Sequence, residues 1–182
     1  MGIIRPPIAF IPGMHQQRLM RPGAVRGLTE GEWGALSPGL AKALAEAGAR
    51  PRIHARVCLP ARLAQIRFGG APIMVLGERV HWKGAHKDFS LPGLENLMAV
   101  LQHELQHVLE FATGELSALR YVLSPRNWGY AYRVDEGSAW RDYGAEQRAM
   151  IAQHLWMAER GLPTPYPAQD LRRLVPWAAD SV

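Results

Sequence analysis

Apolar residues fall at three-and-four spacing along Leu94, Leu97, Met98, Leu101, Leu105, Val108 and Leu109. That is the period of an α-helix with one face turned inward. Ser90 and Pro92 stand before the stretch and Gly114 after it, so the pattern predicts a helix running to about Ala112. Earlier in the chain, Arg52 to Leu59 alternates. Ile53, Ala55, Val57 and Leu59 take one side, and Arg52, His54, Arg56 and Cys58 the other, which is strand periodicity. Ile73 to Leu76 and Arg79 to Trp82 flank Gly77-Glu78 and read as a β-hairpin. A short helix is predicted over Ala61 to Phe68, between these two patterns.

Two helical turns open the ordered part of the chain. Thr29 and Glu32 have capping-box spacing, with Leu28 able to pack on Trp33. Ser37-Pro38 restarts the signal, Leu40 and Leu44 share a face, and Gly48 closes it. Beyond Gly114 the pattern predicts a short helix over Ser117 to Leu123, an aromatic extended run from Asn127 to Val134, and a long helix from Ser138 to about Arg160. A Pro-rich tail follows, with a short helix near Asp170 to Leu174. The resulting order is α+β: a small, mostly antiparallel sheet packed on helices. Residues 1–27 read as an irregular arm, 28–161 as a single domain and 162–182 as the tail.

Composition supports a folded core without adding a structural staple. Apolar residues make up 48% of the 182 positions and charged residues 20%. The single cysteine, Cys58, excludes an internal disulfide framework and a cysteine-based zinc site, and it fits a reducing compartment. No apolar run nears the roughly 20 residues that cross a bilayer. Pro6, Pro7 and Pro12 break up the first residues as a signal peptide, so the expected location is cytoplasmic, with export by a dedicated apparatus left open. The net charge of +5 is uneven: residues 1–87 hold thirteen Lys/Arg against four Asp/Glu, whereas 88–182 hold eight against twelve. The arginines are scattered rather than striped, which argues against nucleic acid as a partner.

Chemistry concentrates in the helix first described. His103-Glu104-Leu105-Gln106-His107 is an H-E-x-x-H pattern, which on a helix puts both imidazoles on one face a turn apart. Two such ligands can share one zinc ion, with Glu104 beside it as general base toward a bound water. A third ligand is required. Glu146 is the first choice, because Gly144, Ala145 and Ala149 would let its helix approach closely. Asp135, Glu136, Asp142 and His154 compete for the role, while Glu110 and Glu115 read as solvent-facing or as outer partners of the ligands. For a donor to a developing oxyanion, Tyr130, Tyr132, Tyr143, His81 and His86 are candidates. Tyr143 comes first, three positions before Glu146 and hence on nearly the same helix face.

HELQH followed by a helical GAEQ resembles the gluzincin group of zinc metallopeptidases, over about Ile73 to Arg160. The resemblance implies a peptide or protein substrate, held in extended form along a strand before the active-site helix. Val80 to Lys83 would be that strand. HELQHVLEFATG and GAEQRA are also similar to small bacterial metallopeptidase-like proteins associated with contractile injection systems, the Vgr-related set. That likeness implies a second possibility, an assembly component that keeps the metal and docks partners through residues 1–27 or 162–182. Here Glu146 departs from the fuller N-E-x-x-S-D motif.

Overall fold

The computed structural model describes residues 18–58 and 73–178, and the predicted helix over 61–68 lies outside them. The first helix, α1 (Glu30–Ala35), carries the expected capping box: Thr29 accepts from Glu32 N, and Glu32 accepts from Thr29 N. Such a cap stabilises by about 1 kcal/mol. In α2 (Pro38–Glu46) proline takes the first turn, but Ser37 makes no side-chain cap and its buried hydroxyl has no partner. The strands are β1 (Val25–Arg26), β2 (Arg52–His54), β3 (Met74–Leu76) and β4 (Arg79–His81). They form a mixed sheet in the order β1-β2-β4-β3. The pairings of β1 with β2 and of β3 with β4 are antiparallel, and the central pairing of β2 with β4 is parallel.

Two expectations about the sheet change. The alternating stretch from Arg52 ends as a strand at His54, whose carbonyl accepts from both Arg56 N and Trp82 N, and only Ala55 goes on pairing, with Gly23 and Ala24 before β1. The strand expected to offer a free edge, Val80 to Lys83, has β4 at its core, and β4 is flanked on both sides. Among the described residues the free edge on that side belongs to β3. The hairpin itself is as expected, with Gly77 at φ +60, a conformation that costs glycine little.

The long helix, α3 (Glu95–Ala112), starts later than Ser90 and Pro92 suggested. Ser90 turns back to Asp88, donating at 2.6 Å, and Leu94 provides no side-chain cap. Ile53, Val75 and Val80 point from one face of the sheet into a core with Met98, Leu101, Leu105 and Val108 of α3. Burying each such aliphatic side chain contributes about 1.5–3 kcal/mol. After α4 (Ala118–Leu123) come two single-turn 3-10 segments, Pro125–Trp128 and Trp140–Asp142, and then α5 (Ala145–Ala158). The expected long helix from Ser138 therefore begins only at Ala145, after the N-cap Gly144.

Both ends of the described chain are built into the structure. β1 and Met20 belong to the sheet and core, so the expected boundary at residue 27 falls inside packed structure. The tail forms α6 (Ala168–Leu174), and Leu171, Leu174 and Val175 pack with Ile151 and Leu155 of α5 in a second cluster. Trp177 Nε1 donates to Gln106 Oε1 of α3 at 2.9 Å. No helix among the described residues is long and apolar enough to cross a membrane.

Candidate metal centre

Every residue of α3 from Leu101 to Glu110 is buried, including Gln102, His103, Glu104, Gln106, His107 and Glu110. Six polar side chains in one buried helical stretch are costly unless they are partnered. The sequence tolerates them here because α5 brings polar groups to the same place. Ala145, Ala149 and Ala152 are fully buried, so the two helices pack closely, as the small residues predicted. Gly144 sits against the Arg126 carbonyl, leaving no room for a Cβ.

This approach puts Glu146, in the first turn of α5, opposite the two histidines. Glu146 Oε2 lies 3.1 Å from His103 Nε2 and 3.4 Å from His107 Nε2. Ligands of a tetrahedral zinc at its usual 2.0–2.2 Å bond lengths stand about 3.3 Å apart, so these separations suit one ion. The three ligand atoms lie within 4.8 Å of one another, and His103, His107 and Glu146 keep only 6%, 6% and 5% of their surface exposed. Among the described residues this is the one such group of three His, Cys, Asp or Glu side chains. The chain therefore offers a buried site that could hold a metal ion. Its helix-terminal position also favours the Glu146 carboxylate.

Charge is balanced locally. Burial opposes ionisation of Glu146, but the hydrogen bonds and charges of His103 and His107 outweigh it and pull its pKa well below the usual carboxylate range. Burial likewise works against a charged His107, yet Glu110 and Glu146 reverse it and push its pKa up to about 10. Glu104, 8% exposed, has its pKa raised, first by burial and less by Glu146, with the two imidazoles opposing. A carboxylate destabilised in this way is a better base than one in water.

A second layer of side chains holds this group in place. Tyr121 Oη donates to Glu146 Oε1 at 2.5 Å, fixing the oxygen turned away from the histidines. Glu110 is fully buried; of the two readings open from sequence, the solvent-facing one is wrong. Its Oε1 accepts from Arg148 Nε at 2.8 Å and from Gln106 Nε2 at 3.3 Å. Its Oε2 faces His107 Nδ1 at 3.8 Å, and neither of these buried atoms has a closer partner. An acceptor set behind a histidine in this way fixes its tautomer and ring orientation when Nε2 binds a metal.

The remaining sequence candidates divide clearly. Tyr143 does not reach the cluster. It precedes the N-cap in extended conformation, and its hydroxyl donates to Arg133 O at 2.7 Å within the second core. The helix-face argument fails because the helix has not yet begun. Tyr130 does reach it, its ring 6.1 Å from that of His103 at 23° and 57% of its surface exposed. Tyr132 Oη instead pairs with His154 Nδ1 at 2.6 Å. Asp142 caps its own turn through Ala139 N, and Asp135 and Glu136 are exposed. His81 and His86 lie by the sheet, beside His54 and Phe89 respectively. Sequence reasoning passed over Tyr121 and Arg148. The only signal for either was position, on elements that flank the histidine helix. In comparisons with protein-family models, curated proteins and solved structures, the chain matches none of them.

Proposed function

We propose that the chain is a zinc-dependent hydrolase acting on peptide bonds. The observation that carries this reading is the meeting of His103 Nε2, His107 Nε2 and Glu146 Oε2 beside a buried Glu104. When bound there, zinc supplies Lewis acidity toward a carbonyl and makes water acidic near neutral pH. In this reading Glu104 takes the proton of the attacking water on its carboxylate and passes it to the leaving amine. In the same reading Tyr130, half exposed with its ring stacked on that of His103, donates to the substrate's carbonyl oxygen. The free edge of β3 would hold the substrate backbone in place of the strand expected from sequence.

The test is metal content with turnover. Wild type should carry about one zinc per chain, lost in His103→Ala. Glu104→Gln should keep the metal and lower peptide hydrolysis by at least 100-fold, the scale of general-base catalysis. Protein that takes up no zinc at micromolar concentration would overturn the reading.

One observation favours a second reading, an assembly component with little activity. Leu119, Val122, Leu123, Trp128 and Tyr130 are all more than half exposed within twelve residues beside the centre. Such a run is suited to a protein partner. Under this reading Glu104→Gln changes nothing, while Leu119→Ser with Leu123→Ser abolishes partner capture.

A further inference from the structure

From Ala112, at the end of α3, to Ala139, Leu116 is the one buried residue. Yet five of the six exposed large apolar side chains among the described residues lie in this stretch: Leu119, Val122, Leu123, Trp128 and Tyr130, each more than half exposed. Leu119, Val122 and Leu123 stand three and four positions apart on α4 and so share a face. Tyr121 points the other way, into the centre, where it donates to Glu146 Oε1. Trp128 Nε1 donates to the Tyr121 carbonyl at 3.0 Å and Asn127 Nδ2 to the Arg120 carbonyl at 3.1 Å, which keeps the Trp128 ring beside α4. Charge in the same stretch has one sign. From Leu116 to Val134 there are three arginines, Arg120, Arg126 and Arg133, all exposed, and no Asp or Glu. Glu115 shares a groove with Leu119 and Leu123, but Arg120 and Arg148 line it too.

We propose that residues 116–134 form a docking surface for an anionic lipid bilayer. The stretch carries each class of side chain that the boundary of a bilayer takes up. Leu119, Val122 and Leu123 enter the acyl boundary, Trp128 and Tyr130 sit at the headgroup level, and the arginines meet lipid phosphates. This mixture fits lipid better than the other partners open to such a face. Leucine and valine are under-represented among the residues that dominate protein–protein binding, and they make up three of the five tips here. A nucleic acid would engage the arginines and leave the aliphatic side chains in water. A bilayer also needs no matching shape, which suits side chains that project from one short helix and the 3-10 turn after it. Docking would bring the metal centre, which Tyr121 links to this face, close to the lipid. It does not depend on what the centre holds.

The test is flotation of the full chain with vesicles of phosphatidylcholine alone and of phosphatidylcholine mixed with phosphatidylglycerol. Each arginine at an anionic surface strengthens binding about fivefold, so wild type should bind the mixed vesicles at least about tenfold more tightly than the neutral ones. Leu119→Ser with Leu123→Ser, and separately Arg120→Gln with Arg133→Gln, should each weaken binding to the mixed vesicles by at least about tenfold. All four side chains are exposed, so the circular-dichroism spectrum should stay the same. Hydrogen exchange of the wild-type chain is a check that needs no variant: mixed vesicles should protect amides in 116–134 and leave those in 18–58 unchanged. Absence of vesicle binding, equal binding to neutral and anionic vesicles, protection that falls outside 116–134, or leucine substitutions that leave binding intact would each overturn the inference. So would a dimer of the chain that depends on the two leucines while vesicles are ignored, which would assign the face to a protein partner.

Discussion

Glu110 and His107 face each other across 3.8 Å, each with a buried atom that has no closer partner. The cost of such a pair falls only if a proton lies between them, and a metal on the far nitrogen of His107 would hold it there. Glu110→Gln is therefore expected to lower zinc affinity by about 10–100-fold with little change in secondary structure, measured by competition with a chromogenic chelator. The same pairing makes metal uptake proton-linked. Without metal, Glu110 and Glu146 hold the His107 pKa at about 10, so the ring is charged at pH 7.5. Zinc needs it neutral. Uptake should then release about one proton per ion, and affinity should rise with pH up to about 10. Calorimetry in buffers of differing ionisation enthalpy measures this directly.

At the scale of elements, the centre depends on how closely α5 approaches its neighbours. Gly144 abuts the Arg126 carbonyl, and the Arg126 guanidinium reaches the Asp142 carbonyl. Gly144→Ala must displace that backbone, so we expect a loss of about 1–3 kcal/mol in a urea melt together with weaker zinc binding. The same region shows where sequence and structure part. The periodicity of α3 and the small residues of α5 were readable, and with them the three residues that could hold a metal ion, His103, His107 and Glu146. Each is a local pattern or a ligand type. The start of α5 was not readable, because Trp140–Asp142 forms a 3-10 turn closed by Asp142 on Ala139 N, which in sequence looks like helix onset. That displaced start carries Tyr143 away from the centre. Tyr130 stands beside His103 instead, and Tyr121 reaches Glu146 by tertiary packing across 25 residues, which no local pattern encodes.

For the whole molecule, buried histidines contribute to the response to acid. Burial lowers the pKa of His54, His81 and His154, with Arg56 and other arginines adding to the effect at His54, and His54 with arginines at His81. In the unfolded chain these groups titrate near 6.5. Below that pH the unfolded state binds protons that the native state refuses. Their contribution is thus complete above pH 6.5 and lost as pH falls toward the lower native values. His107 acts with the opposite sign, so the clean measurement is a difference. Between pH 7 and 5.5 the urea midpoint of wild type should fall more steeply than that of the His54→Gln/His81→Gln double variant. An equal slope would refute the assignment.

Trp177 reaches Gln106 on α3, Trp156 of α5 donates to Ala35 O at 2.7 Å, and Gly39 of α2 lies against the Trp177 backbone. With the packing of α5 on α3, these contacts close a ring: α3 to the tail, the tail to α2, and α1 to α5. A ring of this kind has no natural cutting point. An excised pair of helices carrying all three ligands would lose the contacts that set their spacing, so the smallest unit that keeps the centre extends from the first helix to the last described turn. Grafting the site onto another scaffold would therefore mean reproducing the enclosure as well as the histidines and the glutamate.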